Sequence, residues 1–186
     1  RFLMLMKILL AGSGGQGMLT AGNILGHAAM IENYHVTYLP AYGAAVRGDT
    51  ANCTICISDE EIASPVASAP DIVVAMNQPS AQTFGNTLEP GGQMIYNSNL
   101  VASLPFRGDL NCFPIAASDI AASAGSRRSA NMVMLGALVK LTNIVKLESV
   151  HASVEYMLRG KKKLVEATKK AVDEGFKAFN SGNNVS

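Results

Sequence analysis

The sequence has little charge and no long apolar segment. Charged residues make up 16% of the 186 residues, against roughly 25% in an average soluble domain. The net charge is +1, so nothing global indicates nucleic acid or a membrane surface as a partner. No run reaches the ~18 consecutive apolar residues that a membrane span requires. A surface with so little charge is consistent with a chain that other protein chains partly cover.

Cysteine and histidine are also scarce, with three residues of each. Cys53 and Cys56 form a C-x-x-C pair, but only Cys112 remains, whereas an iron–sulfur cluster usually takes four thiolates. The histidines lack the spacing of zinc ligands. Residues three apart on a strand point to opposite faces, so we interpret the pair as two buried thiols and expect no metal in this chain. Few cysteines without a secretory pattern predict a reduced, cytoplasmic protein.

The N-terminus begins with Arg1 and an apolar run, as secretory signals do. Because this run leads directly into a glycine-rich turn, we interpret it as a first strand. We predict a single domain over residues 6–180, extra N-terminal residues 1–5 and a flexible tail over residues 181–186.

Short apolar runs alternate with helical periodicity through the first half of the chain. They predict strands at residues 6–11, 35–39, 50–58, 71–76, 93–97 and 112–115, and the chain is mostly helical from Ser118 onward. Pro40 is expected to end the second strand. One face of a last helix is predicted by Leu164, Thr168, Ala171, Val172, Gly175, Phe176 and Phe179. The fold class is therefore α/β, with a three-layer, mostly parallel, doubly wound (Rossmann-like) sheet and a helical C-terminal part.

A glycine-rich turn opens the first helix and comprises Gly12, Ser13, Gly14, Gly15, Gln16 and Gly17. It fits the dinucleotide pattern G-x-G-x-x-G, in which backbone N–H groups at a helix N-terminus bind phosphate. An acidic residue should end the second strand and bind a ribose, but the chain has Leu39-Pro40-Ala41 there. Three interpretations stay open: a bound nucleotide, close packing without a ligand, or contact with an anionic group of a partner's substrate or coenzyme.

Two basic groups lie in the second half of the chain. Arg127 and Arg128 precede a helix that Ser129 or Asn131 can cap, and they can bind an anion or form a solvated or inter-subunit surface. The second group begins the last helix and comprises Arg159, Lys161, Lys162 and Lys163. Because a helix N-terminus disfavours cations, we interpret this group as a solvated face. Neither a Ser–His–Asp set nor a carboxylate pair stands out, so we expect no catalytic residue in this chain.

Several fragments, in their order and spacing, resemble the gamma-subunit family of 2-oxoacid:ferredoxin oxidoreductases. Besides the glycine turn, they are residues 39–43, 47–53, 57–62, 91–92, 96–98 and 131–137. The resemblance covers about residues 6–175. It departs from the usual family pattern at Ala44-Ala45-Val46 and at Asp49, in the loop expected to face a partner.

The resemblance implies a subunit of an enzyme that oxidatively decarboxylates a 2-oxoacid, joins the acyl group to coenzyme A and passes electrons to ferredoxin. It implies that thiamine diphosphate, Mg²⁺ and iron–sulfur clusters are held by alpha, beta and, in some enzymes, delta subunits. This chain alone is expected to bind no cofactor and to be inactive. Its loop pattern is closer to the 2-oxoglutarate and branched-chain enzymes than to the pyruvate enzymes, and 2-oxoglutarate is favoured.

The expected partner-facing surface combines the glycine turn with the loop that follows the second strand. Its residues are Gly12, Gly14, Gly15, Gln16, Gly17, Tyr42, Gly43, Arg47, Gly48, Asn52 and Asn131. Arg47 can bind a carboxylate or phosphate, or brace its loop through a salt bridge. Two other functions stay open: a free-standing NAD- or FAD-binding oxidoreductase, and a purely structural assembly subunit.

Overall fold

A computed structural model describes residues 4–42, 50–63, 69–180, 182 and 184–185. The strands are β1 (Leu5–Ser13), β2 (His35–Tyr42), β3 (Thr50–Ser58), β4 (Ile72–Ala75), β5 (Gln93–Asn97) and β6 (Asn111–Ile115). The helices are α1 (Met18–Ile31), α2 (Gln78–Gly85), α3 (Ala117–Ala124), α4 (Ala130–Thr142), α5 (Leu147–Met157) and α6 (Lys162–Ala178), with a 3₁₀ turn at Arg127–Ser129.

The strands form one six-stranded sheet in the order β2-β3-β1-β4-β5-β6. Strands β1, β4, β5 and β6 pair in parallel, whereas β3 is antiparallel to both β1 and β2. Because β3 alone is reversed, the other strands all run in one direction. The mostly parallel α/β sheet predicted from the sequence is confirmed, with the addition of a reversed strand between β2 and β1.

Apolar side chains fill both faces of this sheet. Strand β4 is buried at all four positions, as expected of a strand covered on two sides. The larger core lies between the sheet and helices α1, α3, α4, α5 and α6. The smaller core lies on the other face, where Ala81 and Phe84 of α2 pack against β1, β4 and β5. The three-layer arrangement and the helical C-terminal part are therefore confirmed.

Helices α4 and α6 approach each other closely at two glycines. A Cβ atom on Gly136 would collide with the carbonyl oxygen of Val172, and one on Gly175 would collide with that of Val133. The predicted face of α6 is buried at Thr168, Ala171, Val172 and Gly175. The prediction was wrong for Leu164, which is 46% exposed, because it lies in the first turn of α6, before the helix reaches the core.

Strand β2 is longer than the sequence predicted. It continues through Pro40 to Tyr42, and Pro40 pairs in register with Cys53 of β3. Proline lacks an N–H donor and is tolerated on an edge strand, where that donor would point away from the sheet. β2 is an edge strand of this sheet, so the expectation that Pro40 ends it was wrong.

None of the helices in the described part of the chain combines the length and apolar character needed to cross a bilayer.

Candidate functional site

The sheet register brings the glycine turn beside the ends of β2 and β3. Ser13, the last residue of β1, pairs with Thr50, and Asn52 lies between Ala11 and Ala41. Tyr42 ends β2 at the same end of the sheet. The backbone therefore places Tyr42 and Asn52 next to the turn. The segment 43–49, which contains the predicted residues Gly43, Arg47 and Gly48, lies outside the described residues.

The strand order places the end of β2 differently from that of a dinucleotide-binding fold. In a dinucleotide-binding fold, the second strand lies beside the first, and its end reaches the ribose. Here the reversed β3 separates β2 from β1, which displaces the end of β2 by one strand spacing of about 4.8 Å. A ribose of NAD or FAD would therefore find neither the usual acidic residue nor a second strand that ends at the usual place beside the first strand.

The glycine turn is fastened to the start of α2 through Asn77. The Nδ2 group of Asn77 donates to Ser13 Oγ at 2.6 Å and to Gln16 Oε1 at 3.0 Å, and Gln16 Oε1 also accepts the Ser13 N–H at 2.6 Å. Its Oδ1 accepts the Ser80 N–H at 3.0 Å and so caps α2. Asn77 is 9% exposed. One buried amide thus joins two strand-to-helix junctions and fixes the shape of the turn.

A second amide fastens the other end of the turn. Gly17 is the N-cap of α1 with φ 73°, a left-handed conformation that favours glycine. Its carbonyl oxygen accepts a hydrogen bond from Asn131 Nδ2 at 3.0 Å, and a Cβ on Gly17 would collide with that amide. Ser129 occupies the predicted N-cap position of α4, but its side chain makes no capping bond within the described residues. The alternative prediction, that Asn131 caps α4, was wrong because Asn131 bonds the turn. Asn131 instead ties the start of α4 to the start of α1.

A cavity of about 170 Å³ opens between these two helix starts. Its lining comprises Gly15, Gln16, Met76, Leu100, Ser118, Arg127, Arg128, Ala130 and Asn131. Arg127 lies 3.6 Å from Asp119, and no acidic side chain pairs with Arg128 among the described residues. The two helix N-termini and the guanidinium of Arg128 therefore favour a positive potential in the cavity, since Asp119 offsets the charge of Arg127. This arrangement suits a phosphate or carboxylate.

The structure thus brings together all eight of the predicted residues that it describes. Gly12, Gly14, Gly15, Gln16, Gly17 and Asn131 lie at the turn, with Tyr42 and Asn52 at the neighbouring strand ends. Gly12 packs tightly, since a Cβ there would lie 3.1 Å from that of Met76. Sequence reasoning missed Asn77, although an asparagine before Gln78-Pro79 is a typical start of a helix.

The cysteines do not fit an iron–sulfur cluster. All three are buried free thiols. Cys53 faces the larger core, Cys56 lies three residues along the same strand, and Cys112 packs in the smaller core. Burial raises the pKa of the Cys53 thiol to about 12, which disfavours the thiolate that binds metals. The described residues contain no group of three His, Cys, Asp or Glu side chains placed to hold a metal ion.

Comparison with known proteins identifies what this arrangement is similar to. The family model described as pyruvate ferredoxin/flavodoxin oxidoreductase matches residues 7–178. The ketoisovalerate oxidoreductase subunit VorA of Methanothermobacter thermautotrophicus is 34% identical over 171 residues, which are 91% of this chain and 35% of that protein. This chain therefore spans about a third of the length of that relative.

Two solved structures have the same fold. The keto/oxoacid ferredoxin oxidoreductase gamma subunit of Geobacter sulfurreducens matches with a TM-score of 0.81 and 29% identity, over 93% of this chain and 97% of that one. The 2-oxoglutarate:ferredoxin oxidoreductase of Magnetococcus marinus, determined with 2-oxoglutarate, coenzyme A and succinyl-CoA bound, matches with a TM-score of 0.84 and 25% identity. The match covers 94% of this chain and 31% of that chain.

Proposed function

The chain belongs to the pyruvate ferredoxin/flavodoxin oxidoreductase family, and we propose that it works as the gamma-type subunit of an enzyme that oxidatively decarboxylates a 2-oxoacid to an acyl-CoA with ferredoxin as electron acceptor. The observation that carries the proposal is the family match over residues 7–178. Thiamine diphosphate, Mg²⁺ and the iron–sulfur clusters are assigned to alpha and beta subunits, with a delta subunit where the enzyme has one. The three free thiols favour a cytoplasmic location.

The role assigned to this chain is to hold the phosphate-bearing part of coenzyme A beside the partner's active site. The cavity next to the glycine turn supports this role, because Arg127, Arg128 and two helix N-termini surround it. The turn itself is held by Asn77 and Asn131, so little conformational entropy is lost when a ligand binds. In this proposal the chain supplies binding and orientation, and partner residues carry out the chemical steps.

Within the same proposal, residues of the loop after β2 face the partner's active site. Arg47 is assigned to a carboxylate or phosphate, with Tyr42, Gly43, Gly48 and Asn52 around it. The register that sets Tyr42 and Asn52 beside the glycine turn supports this assignment. Arg47→Ala should lower the activity of the assembled complex while the subunits still co-purify. Full activity in that variant would favour a purely structural assembly subunit.

The favoured substrate is 2-oxoglutarate. The loop pattern of the sequence supports it, as does the similarity to the 2-oxoglutarate:ferredoxin oxidoreductase of Magnetococcus marinus. Ketoisovalerate is the second candidate, because a ketoisovalerate oxidoreductase subunit is 34% identical over 91% of the chain. Values of kcat/KM for 2-oxoglutarate, ketoisovalerate and pyruvate, measured on the assembled complex, decide between them.

Ligand titration tests the coenzyme A role. The melting temperature of the chain should rise with coenzyme A and rise less with dephospho-coenzyme A, because one phosphate is missing. Arg128→Ala should abolish most of this rise, whereas the control Arg159→Ala, in the exposed turn after α5, should not change it. Strong stabilisation by NAD or FAD, without any by coenzyme A, would instead favour the free-standing nucleotide-binding oxidoreductase.

A further inference from the structure

An apolar groove lies between α1, β2 and the end of α5 and shares no lining residue with the cavity beside the glycine turn. This edge groove, of about 260 Å³, is lined by Gly22, Asn23, Gly26, His27, Met30, Val36, Tyr38, Tyr156 and Met157. Met30 is 61% exposed, Tyr156 57% and Met157 40%. Large apolar side chains that converge on one groove, rather than being scattered singly, mark an interaction site.

The central aromatic residue of the edge groove is held in place by its neighbours. The Tyr156 ring stacks on His27 with 4.7 Å between centroids, and the Arg159 guanidinium lies 5.0 Å from its centroid. The Ser153 hydroxyl donates to the Ile24 carbonyl at 3.0 Å, so His27 Nδ1 donates to Ser153 Oγ at 3.0 Å. An exposed aromatic side chain that is already ordered loses little entropy on binding, as is typical of interface anchors.

A basic rim continues from the edge groove between α5 and α6, starting at Arg159, whose guanidinium lies over the ring of the groove residue Tyr156. It comprises Arg159, Lys161, Lys162 and Lys163, which are all exposed. The segment from Tyr156 to Val165 contains no acidic residue, and of the two glutamates that flank it, Glu155 pairs with Lys169. Lysines in the first turn of α6 oppose the helix dipole, and Lys161 makes no capping bond within the described residues. Because these positive charges do not stabilise the helix, we infer that the lysines serve another purpose, such as binding a partner.

We propose that the edge groove and the basic rim form a docking surface for the thiamine diphosphate-binding subunit of the same enzyme, which presents an apolar side chain to the groove and acidic side chains to the rim. This inference rests on the proposed function. An apolar centre with a charged border is the usual anatomy of a protein interface. The rim identifies the partner's chemistry, because opposite charges steer association and like charges oppose it.

Two alternative occupants fit less well. A second copy of this chain, docked symmetrically through the same groove, would bring two basic rims together. A membrane surface would contact protruding side chains, whereas the groove is concave and suits an inserted side chain.

The position of the edge groove along β2 also favours a partner subunit. Val36 lies in the groove and Tyr42 lies beside the glycine turn. Six residues of strand separate them by about 20 Å, a distance that one interface of standard size can span. A subunit that covers the turn can therefore reach the groove without a second, separate contact.

Binding to the thiamine diphosphate-binding subunit of the same enzyme tests the inference. That subunit is immobilised, and the dissociation constant of the purified chain is measured at low and at high salt. Tyr156→Ser and Lys162→Glu should each raise the dissociation constant about tenfold or more, and the Lys162→Glu effect should shrink at high salt. The matched controls are Phe106→Ser, at an exposed aromatic position, and Lys170→Glu, on the exposed side of α6. Both controls should stay within about twofold of the unmodified chain.

The outcomes separate this inference from the proposed function. If the unmodified chain binds and both groove variants bind equally well, the inference is wrong and the proposed function stands. If the unmodified chain does not bind the thiamine diphosphate-binding subunit, both are wrong. The inference is also overturned if Tyr156 and Lys162 are needed for sedimentation with phosphatidylserine vesicles, or if light scattering shows a dimer that Tyr156→Ser dissociates.

Discussion

Replacing Asn77 by alanine should destabilise the protein by about 3 kcal/mol. The variant leaves the Ser80 N–H without its cap, which costs roughly 1 kcal/mol. It also removes the donor to Ser13 Oγ and Gln16 Oε1, at about 1 kcal/mol for each hydrogen bond. For a chain of this size the loss corresponds to a fall in melting temperature of roughly 6–12 °C. Urea unfolding followed by circular dichroism measures the change in free energy.

A serine at the same position separates the two functions of Asn77. Asn77→Ser keeps an oxygen that can accept the Ser80 N–H, but it is too short to reach the turn. It should therefore lose about 2 kcal/mol, less than the alanine variant. If Asn77→Ala unfolds within about 0.5 kcal/mol of the unmodified protein, as an ordinary surface substitution does, the amide does not join the two junctions as described.

Three further predictions concern packing, acid stability and thiol reactivity. Gly175→Ala forces a Cβ into the backbone of α4 and should cost about 3 kcal/mol in urea unfolding, whereas Gly108→Ala, with open space around it, should change little. The hydrogen bond from Arg107 lowers the pKa of Asp109 to about 2 from an ordinary value of 3.8. The stability from this pair is thus present above pH ~4 and lost as the pH falls toward ~2; an NMR titration midpoint near 4 for Asp109 would contradict this. Cys53, with its raised pKa and complete burial, should resist iodoacetamide until the protein unfolds, and rapid alkylation of the folded chain would refute its burial.

Local patterns in the sequence predicted the elements of the fold well. The buried runs around Ile8, Val73 and Ile95 were assigned to strands because they are continuous and apolar, and the structure buries all three completely. The glycine turn was placed correctly because its spacing matches a strand-to-helix junction. These features depend on neighbours in sequence, which periodicity reports directly.

Contacts between distant residues could not be predicted in the same way. The reversed β3 and the passage of β2 through Pro40 depend on which strands pair, and strand pairing leaves no local signal. Asn77 bonds residues 61 and 64 positions earlier in the chain, and Asn131 bonds a residue 114 positions earlier. Short polar side chains near the start of a helix favour local capping bonds, and the position of Asn131 in the sequence therefore predicts a helix cap. The sequence therefore indicated residues that the structure brings together at the glycine turn, but neither Asn77 nor the hydrogen bonds that hold the turn.

Reconstitution with and without this chain tests the central claim most directly. The thiamine diphosphate-binding and iron–sulfur subunits of the enzyme are purified alone and together with the chain, and coenzyme A-dependent reduction of ferredoxin by 2-oxoglutarate and by ketoisovalerate is measured. We predict activity with at least one of these substrates only when the chain is present, and none from the chain alone. Equal activity without the chain, or 2-oxoacid oxidation by the isolated chain, would contradict its assignment as a gamma-type subunit that leaves the chemistry to its partners.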